Sequence, residues 1–347
     1  LILEEDSCRE VSDVGHRITF LTDRLGMPLT ETVTDPDLRT PRDVEAGAPL
    51  LASISRMSGT VRRGIGAARQ GVNVSIAGSR RVELKGVAHH RGLPRLVHTE
   101  AFRHLELLKL RAELLARGVT DELLPLPGDG PAWESALVVD ARSDLRACEY
   151  APIADALERG DMIAAVRLPR FAGLLERVTQ PGTTFAHEFA DRVRVIACLT
   201  SRPFLIGSHL RDHGVKASEW KRLQRALRAS DDDALLVVWG PPEDVDTAAR
   251  EIVIRARDAL VGVPSETRQT WRDGTNGLER ILPGPERMYP DTDTPGMPIP
   301  DVWVDTVETH LAERPWERAA RYLESGLTHA AATRLAEAPW SSLFDEL

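Results

Sequence analysis

The segment SRRVELKGVAHHRGLPRLVHTEAFR, residues Ser79–Arg103, carries the clearest structural signals in the chain. Its first part alternates polar and apolar side chains, which is the pattern of a β-strand with two different faces. The polar face holds a carboxylate between two cations, namely Arg81, Glu83 and Lys85. From this stretch alone the pattern favours a solvated strand face, and the alternative is a phosphate or metal site. After residue 92 the pattern changes to that of a long helix.

A second strand is predicted immediately before this segment, over Val72–Ile76 (VNVSI). The turn residues that follow it, Ala77–Ser79, predict a β-hairpin made of these two strands. Earlier in the chain, Thr40, Pro41 and Asp43 have the positions of a helix N-cap, a first helical residue and a first-turn acid. They predict that a helix begins there.

Three neighbouring carboxylates stand near the start of the chain, at Glu4, Glu5 and Asp6. Adjacent negative charges repel one another unless a cation or hydrogen-bond donors neutralise them. A magnesium ion bound through oxygen ligands would do so. The alternative is an exposed strand end.

Charge is unevenly distributed along this chain of 347 residues, whose formal net charge is −9. The window Ser55–Arg111 contains twelve cations and only three anions. Such a basic zone in an acidic protein predicts a local attraction for polyanions, although ordinary surface patchiness gives the same pattern. The three cysteines form no CxxC pair, which suits a reducing cytoplasm and excludes a cysteine zinc site.

Composition gives further limits on the class of protein. Mean hydropathy is −0.24, and no run of eighteen apolar residues occurs, so neither a membrane span nor a signal peptide is expected. The sequence begins LILEEDSCRE without Met, and we expect a fragment cut at both ends.

Prolines and glycines, which interrupt helices and strands, divide the chain into parts. The clearest linker is Pro125–Pro131, after which strands and helices alternate up to residue 261 and predict a compact α+β insertion. Within it, residues 185–198 are predicted as a short helix followed by a strand. Residues 262–300 are predicted to be poor in regular structure and functional. Residues 301–347 are predicted to be all-helical, with helix starts at Asp301, Pro315 and Thr328.

Five blocks, taken in order, resemble the GatE subunit of the archaeal-type glutamyl-tRNA(Gln) amidotransferase, which is related to the bacterial GatB subunit (the GatB/GatE family). They are Leu3–Arg9 (LEEDSCR), Arg69–Ile76 (RQGVNVSI), Arg81–Val87 (RVELKGV), Gly262–Arg268 (GVPSETR) and Asp273–Asp293 (DGTNG through RMYPDTD). In addition, Leu168–Gly182 resembles the start of the domain that GatE shares with bacterial-type aspartyl-tRNA synthetases. GatB lacks that insert.

The resemblance implies an α+β fold with a mixed-sheet cradle domain. The cradle would comprise residues 1–130 and a return segment, 262–300. An aspartyl-tRNA synthetase-like insert would occupy residues 131–261, and residues 301–347 would start a helical domain.

The resemblance also implies an activity in translation. With ATP and Mg²⁺, such a protein phosphorylates the γ-carboxylate of Glu on misacylated Glu-tRNA(Gln). Ammonia from an asparaginase-like amidase partner, GatD, then displaces phosphate and gives Gln-tRNA(Gln). Such an enzyme is a carbon–nitrogen ligase with glutamine as amido donor. The resemblance implies a cytoplasmic heterotetramer that binds neither DNA nor a membrane. Phosphorylation is needed because oxide is a poor leaving group, and phosphoryl transfer relies on positioning and charge neutralisation.

Roles for individual residues follow from the same resemblance. Glu5, Asp6 and Glu83 would bind Mg²⁺, and Lys85 and Arg81 would neutralise phosphate charge. Asn73 would orient a substrate or a ligand carboxylate. Four residues of the distant block would close over the nucleotide or the aminoacyl end, or else brace a turn: Arg287, Tyr289, Asp291 and Asp293.

Three departures from the family pattern accompany the resemblance. A Gly-Leu-Glu-Ile-His motif that lines the family's site is absent from this sequence, as is the tail that engages tRNA. The family usually has Asp where this chain has Gly71. These departures support an alternative, in which the chain is a non-catalytic paralogue that acts as a tRNA- or partner-binding module.

Overall fold

A computed structural model describes residues 2–6, 8–64, 67–87, 89–209, 214–281 and 298–347, with the backbone alone for residues 2–5. The fold is mixed α+β, and the described residues form ten α-helices and five small sheets. The first 31 residues form two separate antiparallel pairs. Strand β1 (Ile2–Glu5) pairs with β4 (Pro28–Glu31), and β2 (Arg9–Val14) pairs with β3 (Arg17–Leu21).

The first helix, α1 (Pro41–Met57), begins where the sequence predicts. Thr40 accepts a hydrogen bond from the backbone amide of Asp43, and the Asp43 carboxylate accepts one from the amide of Thr40. This reciprocal capping box satisfies two amides that a helix start leaves without intrahelical partners. The helix continues through Pro49, although a proline inside a helix removes one hydrogen bond.

A four-stranded mixed sheet lies at the centre of the chain, and its strand order is β14, β13, β6, β5. Strands β5 (Val72–Val74) and β6 (Val82–Lys85) form the predicted antiparallel hairpin. Strand β13 (Glu266–Thr270) runs parallel to β6 and pairs with β14 (Asn276–Ile281).

The hairpin β13–β14 corrects one prediction. The segment 262–300 was expected to be poor in regular structure, yet residues 266–281 form these two strands. The prediction was wrong because both faces of β13 are polar, so the sequence shows no alternation between apolar and polar residues there.

One face of this sheet packs against α2 (Leu93–Ala116), a helix whose buried positions recur with helical spacing. The apolar residues of β5 and β6 point toward α2 and are buried: Val72, Val74, Val82 and Leu84. The polar residues of the same strands therefore point to the opposite face. This division fixes where a functional site can lie.

A second four-stranded sheet, all antiparallel, occupies the insert in the order β11, β12, β8, β7. Its two central strands are β8 (Met162–Leu168) and β12 (Ala234–Gly240), and nearly every residue in them is buried. The edge strands are β7 (Val138–Asp140) and β11 (Ile206–Gly207). Strands buried on both faces are sandwiched between layers of helices.

The two helical layers of the insert have different neighbours. Helices α3 (Ala151–Arg159) and α5 (Ala217–Ala226) cover one face of the sheet. Helices α4 (Phe185–Val195) and α6 (Pro242–Val261) cover the other face. Both α4 and α6 belong to the same hydrophobic core as α2 and the β5–β6 hairpin, so a single core extends from the central sheet into the insert. A short pair, β9 (Val178–Gln180) and β10 (Thr183–Thr184), precedes α4.

The strand predicted to follow α4 is absent from the described residues 196–199. The apolar residues at positions 185, 189, 193 and 197 are all buried. Their spacing of four residues is helical, and it keeps this side of the segment on the core. The chain then turns at Cys198, whose backbone is left-handed with φ of 57°.

The last part is helical, as predicted, with helices α7 (Asp301–Glu308), α8 (Pro315–Glu324), α9 (His329–Ala336) and α10 (Ser341–Asp345). Thr328 caps α9 by accepting from the amide of Ala331. An ion pair between Arg56 of α1 and Glu337, with an N–O distance of 2.8 Å, joins this part to the first helix. Across the described ranges, no helix is both long and apolar enough to cross a bilayer.

Candidate active site

The polar face of the β5–β6 hairpin brings together several of the residues predicted from the sequence. Asn73 lies directly opposite Glu83 in the antiparallel register, and such cross-strand neighbours are within reach of each other. Lys85 follows on the same face, and Arg81 precedes β6 with the same alternation. The predicted strand face is therefore partly exposed, and it is polar as expected.

Glu83 has two defined partners on this face. Its Oε2 accepts a hydrogen bond of 3.0 Å from Thr267 Oγ1 on the neighbouring strand β13. Its Oε1 lies 3.5 Å from Lys85 Nζ, and the Glu83 side chain keeps about a quarter of its surface exposed, 26%. These contacts orient the carboxylate while leaving it accessible to a ligand.

Thr267 and Arg280 belong to this face, although the sequence interpretation did not include them. Arg280 on β14 is the register partner of Thr267 and hence lies on the same side of the sheet. Its Nε atom is buried and has no hydrogen-bond partner among the described residues. Both were missed because their strands were predicted as irregular structure.

Asp6 has partners of its own. The Asp6 backbone exchanges hydrogen bonds with Met27 and Gly26, and its Oδ2 lies 2.9 Å from Arg69 and 3.6 Å from Arg24. Two guanidinium groups thus neutralise this buried side chain. Among the described residues, no group of three or more His, Cys, Asp or Glu side chains is arranged to hold a metal ion.

The predicted magnesium ligands therefore stand as follows. Glu83 lies on the candidate face, whereas Asp6 directly follows β1 and is engaged by the two arginines. For Glu5 only the backbone, opposite Pro28, is described. Their joint role in binding Mg²⁺ stays a prediction.

The remaining predicted site residues lie outside the described residues. They are Arg287, Tyr289, Asp291 and Asp293, all within the range 282–297. Their proposed roles stay predictions as well.

Gly71 precedes β5 and continues the alternation that places Asn73 on the polar face. A Cβ atom built at this position would lie 3.5 Å from the backbone oxygen of Leu84, an ordinary van der Waals contact. Its φ is not left-handed, so neither backbone conformation nor space requires glycine here. An aspartate would fit at this position.

Behind the polar face, the buried side of the sheet carries a dense ionic network. At its centre is Arg103 of α2, which has no exposed surface. Its Nε and Nη2 atoms donate to the two carboxylate oxygens of Glu188 on α4, both at 2.7 Å. Nη1 donates to Glu100 at 2.8 Å, and Nη2 also donates to Glu266 of β13 at 2.6 Å. One guanidinium group thus ties together three separate elements.

Two further buried arginines complete the charge balance. Arg268 of β13 donates to Glu266 at 2.5 Å, and Arg255 of α6 donates to Glu188 at 3.2 Å. Three arginines therefore face three glutamates, Glu100, Glu188 and Glu266, and all six are buried. Buried charges are tolerated only when they are paired and hydrogen-bonded in this way.

Further polar groups extend the network to the hairpin. His104 Nε2 lies 2.9 Å from Glu100, and its Nδ1 lies 2.9 Å from the Ser79 hydroxyl in the β5–β6 turn. On the other side, Asn276 of β14 donates to Glu100 at 2.8 Å, and Gln180 pairs with the backbone of Asn276. The turn, α2 and the β13–β14 hairpin are thereby fixed relative to one another.

The network changes the acidity of its members. Burial alone would raise the pKa of Glu100, but the charge of Arg103 and a hydrogen bond from His104 lower it to about 2. Burial likewise opposes the charged form of Glu188, and the charges of Arg103 and Arg268 hold its pKa well below the ordinary value. Both groups are therefore ionised at neutral pH.

A small cavity of about 180 Å³ opens beside the network. It is lined mainly by polar side chains, among them Gln180, His187, Asp191, Arg268 and Trp271. Burial raises the pKa of Asp191, which accepts a hydrogen bond from the amide of Leu278 at 3.0 Å. The cavity lies on the insert side of the sheet and is separate from the polar face.

The sequence analysis missed this network, although α2 contains a signal for it. Glu100 and Arg103 fall in phase with the buried leucines Leu96, Leu107 and Leu110. Charged residues at core positions of an amphipathic helix indicate buried ion pairs. Their partners on α4, α6 and β13 cannot be assigned from spacing along the chain.

Several exposed cations lie near the β5–β6 hairpin along the chain. Of the twelve cations in the basic window, several are engaged, such as Arg69 with Asp6 and Lys109 with Glu106. Four others near the β5–β6 hairpin and the start of α2 have no carboxylate within 4.0 Å in the part of the chain that is described: Arg80, Arg81, Arg91 and Arg95. Arg80 and Arg81 lie next to the strand that bears Glu83, whereas Arg95 acts on the Asp273 carboxylate.

Comparison with known proteins identifies the family. The family model described as "GatB/GatE catalytic domain" matches residues 1–305. The chain belongs to the GatB/GatE family. This membership confirms the resemblance on which the sequence analysis relied.

Curated relatives of this GatB/GatE chain are named as the GatE subunit of glutamyl-tRNA(Gln) amidotransferase. The proteins from Methanocaldococcus jannaschii and Pyrococcus furiosus are each 34% identical to it over 349 aligned residues. The protein from Saccharolobus solfataricus is 33% identical over 348 residues. Each alignment covers all of this chain and 53% of the relative, so the chain spans about half the length of these relatives.

Proposed function

We propose that this chain is the catalytic portion of the GatE-type component of an archaeal-type Glu-tRNA(Gln) amidotransferase. It would phosphorylate the γ-carboxylate of Glu on misacylated Glu-tRNA(Gln) with ATP, and ammonia would then displace the phosphate to give Gln-tRNA(Gln). The observation that carries the proposal is the polar sheet face, where Asn73 and Glu83 oppose each other beside Lys85. The names of the relatives support the same activity.

The residues of this face suit phosphoryl transfer to a carboxylate. Two anionic reactants repel each other, so the reaction depends on cations that neutralise charge and on groups that hold the reactants in line. Lys85, Arg81 and Arg280 would supply positive charge to the phosphates. Asn73 would orient the γ-carboxylate by a side-chain amide hydrogen bond.

The described residues fit a magnesium ion bound mainly through substrate. Mg²⁺ usually keeps several waters and binds through one or two carboxylates together with substrate phosphates. Glu83 offers such a carboxylate, and Thr267 holds it in place. Asp6 fits less well, because two arginines already bind its Oδ2. When bound, the ion would neutralise charge on the nucleotide phosphates.

The wider assembly forms part of the same proposal. The partner would be an asparaginase-like amidase, GatD, which hydrolyses glutamine in a cytoplasmic heterotetramer. Arg80, Arg91 and Arg95 would attract the acceptor end of tRNA(Gln). We further infer that residues 131–261 are an insert of the aspartyl-tRNA synthetase type within a cradle domain.

A transamidation assay on the full-length protein tests this function. The full-length protein and its amidase partner are mixed with Glu-tRNA(Gln), ATP and glutamine, and both phosphate and Gln-tRNA(Gln) are measured. Glu83→Gln is expected to lower ATP-dependent phosphate release at least about 100-fold. The matched control is Glu158→Gln, which removes an equal charge from the exposed side of α3 and should retain full activity.

The proposal fails if the wild-type protein releases no phosphate above background. It also fails if Glu83→Gln is as active as the control. Circular dichroism and thermal unfolding of both variants show whether a loss of activity reflects a loss of fold.

One observation favours a second function, that of a non-catalytic paralogue which binds tRNA or a protein partner. Gly71 stands on the polar face where the family pattern has a carboxylate, and the space there would accept one. This alternative predicts salt-sensitive tRNA binding without ATP turnover. A gain of turnover in Gly71→Asp from an inactive wild type would support it. An active wild type that Gly71→Asp leaves unchanged would exclude it.

A further inference from the structure

The exposed side of α5, in the insert, and the turn that follows this helix carry three cations that do not belong to the proposed catalytic face. Lys221 and Arg225 are four residues apart and lie on one side of α5, and Arg228, which is also exposed, follows just beyond the end of the helix. We call them the α5 cation face. Together with Gln224 and Ala229 they line an open groove of about 620 Å³.

The α5 cation face is not neutralised within the described part of the chain, where no carboxylate lies within 4.0 Å of its charged groups. Its neighbour Arg222 behaves differently, because its Nε donates to the backbone oxygen of Asp144 at 2.9 Å and its Nη2 lies 3.7 Å from Glu219. Arg222 thus has a structural role. Arg225 Nε donates to the backbone oxygen of Lys221 at 3.2 Å, but none of the three outward cations is paired with a described carboxylate, so their charge remains available to an external anion.

Arg228 has an unusual backbone for its residue type. It lies just beyond α5 in a left-handed conformation, with φ of 49°. The amide of Arg228 donates to the oxygen of Arg225, and the amide of Ala229 donates to that of Gln224, which is the bond pattern of a Schellman motif. Glycine fills this position in most such motifs because it lacks the Cβ that strains a left-handed residue. The left-handed backbone therefore disfavours arginine at this position. An interaction made by the side chain would explain why arginine is present.

We propose that the α5 cation face binds the phosphate backbone of structured RNA, a second contact that rests on the proposed tRNA-dependent function. The helix rises 1.5 Å per residue, so Lys221 and Arg225 lie about 6 Å apart along its axis, a separation that allows contacts with neighbouring phosphates. Guanidinium groups bind phosphates in bidentate fashion. The groove lacks aromatic and large aliphatic side chains, which form the centres of protein interfaces. RNA thus fits the groove better than a protein partner does.

The first experiment measures binding of an unmodified tRNA(Gln) transcript to the full-length protein between about 50 and 200 mM KCl. The test variant replaces all three residues of the α5 cation face with Ser. The control variant removes three cations of the same insert that are paired with carboxylates at 2.6–2.8 Å, namely Arg142, Arg159 and Lys216. Both variants lose the same net charge, so a difference between them reports position.

The test variant is expected to bind at least about tenfold more weakly than the control at about 100 mM KCl. Its plot of log affinity against log salt is expected to be less steep by about 2 to 3, because each lost phosphate contact lowers the slope by about 1. Equal affinities and slopes for the two variants would overturn this inference and leave the proposed function intact. A wild-type protein that does not bind the transcript would overturn both.

A single variant separates binding from folding. Arg228→Gly removes one charge and relieves the left-handed backbone, so its Tm is expected to rise by about 2 °C while tRNA binding weakens several-fold. Lower stability, or unchanged binding, would contradict the role assigned to Arg228. The combination of a more stable fold with weaker binding is not expected of a residue that serves only the structure.

Discussion

Replacement of Arg103 by Met tests whether the buried network stabilises the protein. Methionine has a similar length and fills much of the same space, but it removes every charge and hydrogen-bond donor of the side chain. Arg103 donates four hydrogen bonds of 2.6–2.8 Å to the carboxylates of Glu100, Glu188 and Glu266. All of these groups are buried, so the carboxylates would lose a cation that water cannot replace.

The expected loss of unfolding free energy follows from what remains after the change. Glu188 keeps Arg255, Glu266 keeps Arg268, and Glu100 keeps its hydrogen bonds with His104 and Asn276. No carboxylate is left without a partner. The loss of unfolding free energy is therefore smaller than the sum expected for three isolated buried charges. We therefore expect about 3–5 kcal/mol, the range measured when one member of a buried ion pair is removed.

Urea unfolding followed by circular dichroism measures this loss. The control is Lys109→Met on the same helix, since Lys109 is exposed and pairs with Glu106 at 2.7 Å. Surface ion pairs contribute about 0–1 kcal/mol, so the control should stay close to wild type. A loss below about 1 kcal/mol for Arg103→Met would refute the reasoning. The double variant Arg103→Met/Glu188→Gln should recover part of the loss, because it removes one of the buried carboxylates that lost hydrogen bonds from Arg103.

Two further predictions concern the hydrogen bond behind the candidate carboxylate and the acidity of the network. Thr267→Val keeps the shape of the side chain but removes the 3.0 Å hydrogen bond to Glu83, and phosphate release should fall about tenfold, whereas Thr270→Val on the same strand should retain activity. Equal activities would contradict a positioning role for Thr267. The pKa of Glu100 is lowered from an ordinary 4.5 to about 2, because the charge of Arg103 outweighs the effect of burial. The ionised form of Glu100 therefore stabilises the fold above pH 4.5 by about 3 kcal/mol. This stabilisation should disappear as the pH falls from 4.5 toward 2. Over that interval the urea midpoint of Glu100→Gln should fall less steeply with pH than the midpoint of the wild type. Plots of midpoint against pH that run parallel for the two proteins would contradict this prediction.

Elements with strong local signals could be predicted from the sequence. The start of α1 follows from Thr40 and Pro41, and the end of α3 follows from Gly160, which adopts the left-handed conformation that closes a helix. The β5–β6 hairpin follows from alternation on both sides of a short turn. In each case a few neighbouring residues determine the backbone, and no distant contact is required.

The β13–β14 hairpin could not be predicted in the same way. Glu266 and Arg268 on one face of β13 are buried in the ionic network, and Thr267 on the other face contacts Glu83. Neither face is apolar, so the strand lacks the usual alternation. The apolar run at the end of α4 was predicted as a strand. It instead continues the buried face of the helix through Val193 and Ala197.

The candidate site was predictable only where its residues are local. Asn73, Glu83 and Lys85 lie within one hairpin, and motif position was sufficient to select them. Thr267 lies 184 residues from Glu83, and Arg103 lies 163 residues from Glu266. Spacing along the sequence carries no information about such pairs, so only the three-dimensional structure reveals the groups that orient the site.

The parallel pairing of β6 with β13 has a consequence for how the protein is made. A parallel connection requires a long crossover, and here it encloses the whole insert between Lys85 and Glu266. On the ribosome, the strand bearing Glu83 emerges well before its neighbour exists, and its pairing with Thr267 must wait until 184 further residues have been synthesised. Contacts so distant in sequence form slowly. The candidate catalytic face is therefore among the last parts to assemble, and an incompletely synthesised chain would carry Glu83 without the hydroxyl group that orients it.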